Sequence, residues 1–294
     1  MDINKYKVTG KKGFDFDDFD TKDKGGFKSA EDVQGVVTHN IKEKSELQAR
    51  LYAEGKVGLL IIFQAMDAAG KDGAIKHVMS GINPQGINVY SFKQPSTEEL
   101  AHDYLWRAVK VLPERGKIAV FNRSYYEDVL VVKVHKLYEK LNMPDVCKGE
   151  NTIENRYRHI RNFEEYLWEN GIVTVKFFLH MSEETQRKRF LQRIDQKDKN
   201  WKFSEGDINE RRYWNDYQEA YKSAIKATAT KNCPWYVVPA DKKWYTRVVV
   251  SEILLSVMKE IDPQYPKISK AQEEALKEYR QRLTEKNKKN EERK

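Results

Sequence analysis

The chain has 294 residues, with 53 lysines and arginines against 45 aspartates and glutamates and a formal net charge of +8. That length can bury a sizeable core in one or two domains, and 12% Trp, Tyr and Phe is too aromatic for a disordered chain. The longest apolar run (57–63) is far short of the roughly 20 residues a membrane helix needs, the opening residues lack an apolar signal core, and Cys147 and Cys233 have no partner at metal-ligand spacing. These features argue against membrane spanning, secretion, a zinc site and a disulfide framework, and lead to the expectation of a soluble cytoplasmic protein with an anionic partner.

Residues 1–39 read as an irregular arm of Lys, Asp and Gly, with Phe14, Phe16, Phe19 and Phe27 as anchors. A helix is expected over 40–54, where Ile41, Leu47, Leu51 and Tyr52 share a face and Gly55 stops it. The unbroken apolar run 57–63 has the length of a strand buried on both faces of a parallel sheet. Then follow a helix through Met79, a strand at 87–92, a helix over 98–112, a strand at 117–122 and a helix over 125–138. Beyond these come a helix over about 152–169, a strand at 172–179, a helix from Glu183, a strand at 235–240 and a helix over 245–261. Strands alternating with helices of this length predict right-handed βαβ units and an open parallel sheet. The charged, mostly helical stretch 195–232 breaks the rhythm and reads as an insertion over the top of the sheet. From 267 the chain becomes a charge-dense helical tail. The division expected is an arm (1–39), one α/β domain (40–262) and a tail (263–294).

Directly after the first buried strand stands Gln64-Ala65-Met66-Asp67-Ala68-Ala69-Gly70-Lys71-Asp72-Gly73, leading into a helix. Strand, small-residue loop and helix in that order make a phosphate-binding loop, because small residues let amides turn inward on an anion while the helix N-terminus adds partial positive charge. Lys71 would reach the outer phosphates. The usual pattern has Gly first and Ser or Thr last, where this chain has Ala65 and Asp72, so the usual hydroxyl ligand for magnesium is missing. A carboxylate inside a polyanion loop repels its ligand unless a cation stands between them, so Asp67 reads as a magnesium ligand. The bland alternatives are a strand-to-helix turn with Lys71 solvated and Asp67 as a turn stabiliser.

A second candidate segment, Asn122-Arg123-Ser124-Tyr125-Tyr126-Glu127-Asp128, follows the strand at 117–122, at the carboxyl edge where ligands bind in open α/β sheets. Arginine at such an edge clamps a phosphoryl group and a carboxylate there holds metal. With Asn122 at the strand end, any second carboxylate comes from Glu127 or Asp128. Arg123 could instead simply pair with Glu127 one turn on.

Four segments then resemble the polyphosphate kinase family 2: residues 64–86, FKQPSTEELAHDYLWR (92–107), FNRSYYEDVLVVKVH (121–135) and NWKFSEGDINERRYWNDYQEAY (200–221). The resemblance spans about 40–260. It implies a three-layer α/β/α phosphate-loop kinase fold with a parallel central sheet and a helical lid at about 187–212. It also implies Mg²⁺-dependent phosphoryl transfer between inorganic polyphosphate and purine nucleotides, AMP and ADP becoming ADP and ATP. Under it Asp67, Lys71 and Arg123 are catalytic, with Asp67 the metal ligand. Ala68, Ala69, Gly70, Lys71, Asp72, Gly73 and Lys76 bind phosphate, Asn122, Arg123, Glu127 and Asp128 form the nucleotide side, and Arg187, Arg189, Arg193, Lys202 and Arg211 belong to the lid. Asn122 with Glu127 resembles the subgroup acting on both mono- and diphosphates. Arg189 and Arg193, four apart on a helix, share a face, though Glu183, Glu184 and Asp195 are near enough to pair with such arginines. The stripe Tyr213, Tyr217, Tyr221 reads as core packing. Homo-oligomers are expected and nucleic-acid binding is not. The rival readings are an ATP-dependent nucleotide or nucleoside kinase and a basic nucleic-acid-binding or scaffold protein.

Overall fold

The apolar run alternates between two buried faces. Leu59, Ile61 and Phe63 join one hydrophobic cluster, and Leu60 and Ile62 join the other, so helices must cover both sides. The computed structural model describes residues 1–10, 13–149 and 151–291. In chain order its main elements begin with β1 (Lys7–Val8), α1 (Gln34–Glu54), β2 (Gly58–Gln64), α2 (Lys71–Val78), β3 (Ile87–Ser91), α3 (Thr97–Leu100) and α4 (Trp106–Val109). They continue with β4 (Ile118–Asn122), α5 (Val131–Val134), α6 (Thr152–Glu169), β5 (Ile172–His180), α7 (Glu183–Asp195) and α8 (Glu205–Glu210). The last are α9 (Trp214–Thr228), β6 (Trp235–Pro239), α10 (Lys243–Ile261) and α11 (Lys270–Glu291).

The sheet order is β1-β6-β5-β2-β4-β3, parallel throughout except for β1, which runs antiparallel to β6. On one face lie α1, α2 and α10, through Leu47, Leu51, Ala74, Ile75, Val249 and Ile253. On the other lie α6 and α9, through Tyr157, Ile160, Leu167, Tyr221 and Ile225. This is the expected three-layer α/β/α arrangement. The chain crosses from one half of the sheet to the other between β4 and β5, which flank β2. A crevice therefore opens at the carboxyl ends of these three strands, the position where open α/β sheets bind ligands. No helix among the described residues is long and apolar enough to cross a membrane.

Four expectations are corrected. The irregular arm is shorter than 1–39, since α1 begins at Gln34, while its anchors hold it as expected: Lys7 and Val8 pair with Tyr236 and Trp235, Phe14 is buried, and the Phe16 ring lies 5.2 Å from Phe178. The helix expected over 98–112 is two short pieces, because Asp103 accepts from the Leu105 amide (3.0 Å) in a local turn that competes with helix. The helix expected over 125–138 is a 3₁₀ turn (Tyr125–Val129), then α5, then a second 3₁₀ turn (Leu137–Lys140). Its first turn is shaped by Tyr125 and Tyr126, whose hydroxyls both reach Glu164 on α6. Finally, α9 is not part of an insertion. Ala220, Tyr221, Ala224 and Ile225 pack it into the core, and the part of that stretch outside the regular layers is residues 196–213.

Candidate active site

Between β2 and α2 the backbone turns through two left-handed residues, Ala68 (φ 64°) and Gly70 (φ 103°). Gly70 takes that conformation without penalty, whereas for Ala68 it costs about 1 kcal/mol and persists only where neighbours enforce it. Those neighbours are on α7. Gln186 Nε2 donates to the Asp67 carbonyl (3.0 Å), and Arg189 Nη1 donates to those of Ala68 (2.9 Å) and Ala69 (2.7 Å). Arg189 Nη2 donates to Ala240 O at 2.6 Å, joining the loop to the end of β6. With the carbonyls held on that side, the first turn of α2 still presents amides without partners inside the helix. Lys71 Nζ curls back to the Ala65 carbonyl (2.9 Å). Burial pushes the Lys71 pKa down, and Asp67 is the largest influence opposing it.

Arg123 follows β4 with φ 61°, and its amide donates to Phe63 O (3.0 Å) on the neighbouring strand. Its Nη2 donates to Asp67 Oδ1 at 2.8 Å, while Nη1 stands 3.9 Å from Glu127 Oε2. Gln64, at the end of β2, donates to Glu127 Oε1 (3.0 Å), and Asn122 donates to Asp72 Oδ1 (2.8 Å). The two candidate segments are thus one site, coupled across β2 and β4. Asp128 is not part of it. Its carboxylate lies against Arg156 (3.4 Å), burial raises its pKa to about 6, and Arg156 and Arg107 oppose the shift.

Two cavities meet at this coupling. The larger, about 650 Å³, is lined by the loop and by nine lysines and arginines against Asp67 and Asp72. The smaller, about 190 Å³, is lined by Met66, Leu130, Val131, Tyr217 and Tyr221, with Asp67, Glu127, Asp207 and Glu210 against Arg123 and Arg211. Asp67 and Arg123 belong to both linings.

The residues expected in a lid separate. Arg193 and Lys202 line the cationic cavity, where Arg193 is held by Asp207 (2.8 Å). Arg211 lines the smaller cavity and donates to Gln186 Oε1 (2.9 Å). Arg189 lines the cationic cavity on the same face as Arg193, as expected, but its donors go to backbone carbonyls, so it braces the loop. Arg187 is exposed and paired with Glu184 (2.9 Å), and Lys76 is exposed outside both linings. Of the aromatic stripe, Tyr221 is buried as expected, but it and Tyr217 also face the smaller cavity.

Lys243, Thr246 and Arg247 on the first turns of α10, Lys199 between α7 and α8, and Lys93 after β3 all line the cationic cavity and were not singled out from the sequence. Burial lowers the Lys243 pKa, and the charges of Arg189, Lys199, Arg247 and Lys202 lower it further, as in a cluster of like charge. The available signal was position: Lys243 to Arg247 follow the carboxyl end of β6, as Arg123 follows that of β4.

Residues 28–266 match the family model described as polyphosphate kinase 2. The chain is 49% identical over 261 residues to an ADP-polyphosphate phosphotransferase of Rhodopseudomonas palustris, covering 87% of this chain and 90% of that protein. To an AMP/ADP-polyphosphate phosphotransferase of Meiothermus ruber it is 42% identical over 278 residues, covering 93% and 99%. The crystal structure of a polyphosphate kinase 2 from Arthrobacter aurescens superposes with a TM-score of 0.84 at 39% identity, covering 92% of this chain and 94% of that one.

Proposed function

The chain belongs to the polyphosphate kinase 2 family, a phosphotransferase working between polyphosphate and nucleotides, and from that membership we propose that the two cavities divide its two substrates. The cationic cavity takes inorganic polyphosphate, the smaller one takes AMP or ADP, and the phosphoryl group passes between them beside Asp67 and Arg123. The observation that carries this reading is that only these two charged residues line both cavities, one of which is strongly cationic and the other acidic and aromatic.

A terminal phosphate oxygen of the nucleotide attacks the terminal phosphorus of the polyphosphate. The bridging P–O bond breaks, and the chain leaves one unit shorter. No side-chain nucleophile is needed, so the protein acts by positioning and by neutralising charge. Lys71 and the α2 amides hold the donor chain. Arg123, already poised with one edge on Asp67, turns that fork to the equatorial oxygens of the group in flight. Residues 196–213, bearing Lys199 and Lys202, cover the cationic cavity and limit loss of the phosphoryl group to water.

The residues also suit magnesium. Among the described residues no group of three or more metal-binding side chains gathers, but Mg²⁺ is commonly held by one or two carboxylates together with substrate phosphates. Asp67, one-third exposed and with Oδ2 free of hydrogen-bond partners among the described residues, offers that kind of donor. When bound, the ion would lower the repulsion between the two anionic substrates. An ATP-dependent nucleotide kinase would share the loop but has no use for cations reaching as far as Lys243 and Arg247.

The test is incubation with Mg²⁺, polyphosphate as sole donor, and each of AMP, ADP, GMP and GDP, with products read by chromatography. Lys243→Ala/Arg247→Ala should raise the KM for long polyphosphate about tenfold and leave that for nucleotide within twofold. Equal effects on both constants would count against the division of substrates.

A further inference from the structure

Lys176 in β5 and Glu164 in α6 form an ion pair with both side chains essentially without solvent contact, the most deeply buried pair among the described residues. The ammonium has three donors and three acceptors: Glu164 Oε2, the Thr228 carbonyl (2.9 Å) and the Tyr126 hydroxyl (3.2 Å). The other carboxylate oxygen accepts from the hydroxyls of Tyr125 and Tyr126, both at 2.9 Å. Thr228 Oγ1 accepts from Trp235 Nε1 (3.0 Å) and donates to Ala224 O (2.7 Å). Every member is satisfied, and the network joins α6, β5, α9 and β6 at one point.

A hydrophobic cluster would fill this space with less desolvation, and buried ion pairs often contribute nothing net to stability, so stability alone does not account for the network. Its geometry points elsewhere. Two consecutive tyrosines reach the same carboxylate oxygen, which fixes the turn between them. The residue before Ser124 is Arg123 in its left-handed conformation, and the residue after Tyr126 is Glu127. Ser124 is fully buried and extended, and its hydroxyl accepts from the Tyr126 amide (3.1 Å) while its carbonyl accepts from the Glu127 amide (3.1 Å). Little slack separates the buried carboxylate from either side chain in the active site. Unusual backbone of this kind persists where its surroundings over-determine it.

We infer that Glu164, held by Lys176, is a positioning residue for phosphoryl transfer, acting through Tyr125 and Tyr126 to set where Arg123 sits at the junction of the two cavities. The inference rests on the catalytic role proposed for Arg123. Lys71 and the α10 cations lie outside the network, so its loss should act on turnover and spare polyphosphate binding.

The test compares two pairs of substitutions. Glu164→Leu/Lys176→Met removes charge and acceptor together, and Glu164→Gln/Lys176→Met removes the charges but keeps an acceptor for the tyrosines. In the first, folded by near-UV circular dichroism, kcat should fall at least tenfold with the KM for polyphosphate within twofold. The second should recover kcat to within about threefold of the original protein. In an Arg123→Ala background, adding Glu164→Leu/Lys176→Met should lower kcat by less than a further twofold, a non-additivity expected only if both act through the same group. Should the leucine variant fail to fold, Tyr125→Phe/Tyr126→Phe keeps the ion pair and carries the same expectation. Unchanged kcat in a folded variant, no recovery with glutamine, or additive losses with Arg123→Ala would each overturn the inference. Normal turnover in Arg123→Ala alone would instead refute the role given to Arg123.

Discussion

Raising ionic strength from about 50 to 200 mM should weaken polyphosphate far more than nucleotide, and the structure sets the size of the difference. Lys93, Lys199, Lys202, Lys243 and Arg247 line the cationic cavity without an ion pair among the described residues, and Lys71 adds a buried charge. A single-stranded polyanion loses affinity with a log–log slope of about 0.7 per phosphate neutralised. With four to six such contacts the slope is roughly 3–4, so a fourfold rise in salt increases the polyphosphate KM by roughly 60- to 250-fold. The smaller cavity offers Arg123 and Arg211, both already beside carboxylates, and the nucleotide KM should rise by about sevenfold at most. Initial rates against each substrate, at fixed free Mg²⁺ so that chelation does not imitate the effect, measure both slopes. Equal slopes would refute an extended polyphosphate track.

Lys71→Ala should leave the fold intact and lower kcat by on the order of 10²-fold or more, since it removes charge beside the transferred group; near-normal turnover in the folded variant would remove the loop from the mechanism. Asp67→Asn should be more damaging than Asp72→Asn, because Asp67 belongs to both cavities whereas Asp72 is held by Asn122, and the ratio of the two activities across a magnesium titration checks this. Arg187→Ala should leave both constants within twofold while Arg189→Ala disorders the loop and costs at least tenfold in kcat, a contrast that steady-state kinetics reads directly. For Asp128 the folded pKa of about 6 is raised above the unfolded value, so its protonated form favours the fold and that contribution is lost as pH rises through about 6. Relative to Asp128→Asn, the original protein should lose on the order of 1 kcal/mol between about pH 5 and 8 in denaturant unfolding, and a constant difference would show that Asp128 stays ionised.

Much of the fold was legible because it rests on short-range pattern. The apolar run 57–63 announces a strand buried on both faces whatever surrounds it, and Gly70-Lys71 stands, as expected, between that strand and a helix. The segments misread were those whose local preference was overruled from a distance. Residues 125–138 have the composition of a helix, yet Glu164, 38 residues from Tyr126, draws two tyrosines into a 3₁₀ turn. Helix α9, read as a charged insertion, packs alanines and Ile225 against the sheet.

By itself the sequence determined which residues could serve: the loop, Asp67, Arg123, and a supply of lysines and arginines after strand ends. Which of those cations face a ligand was decided only by the tertiary structure. Arg187 and Arg189 are two positions apart on α7 with identical chemistry, and two residues turn a helix by about 200°. One guanidinium is therefore in solvent against Glu184, and the other lies under the loop between β2 and α2, donating to Ala68, Ala69 and Ala240. Charge is a property of the residue, but the carbonyls, carboxylates or open cavity that receive it come from segments up to 121 positions away, and only folding brings them within reach.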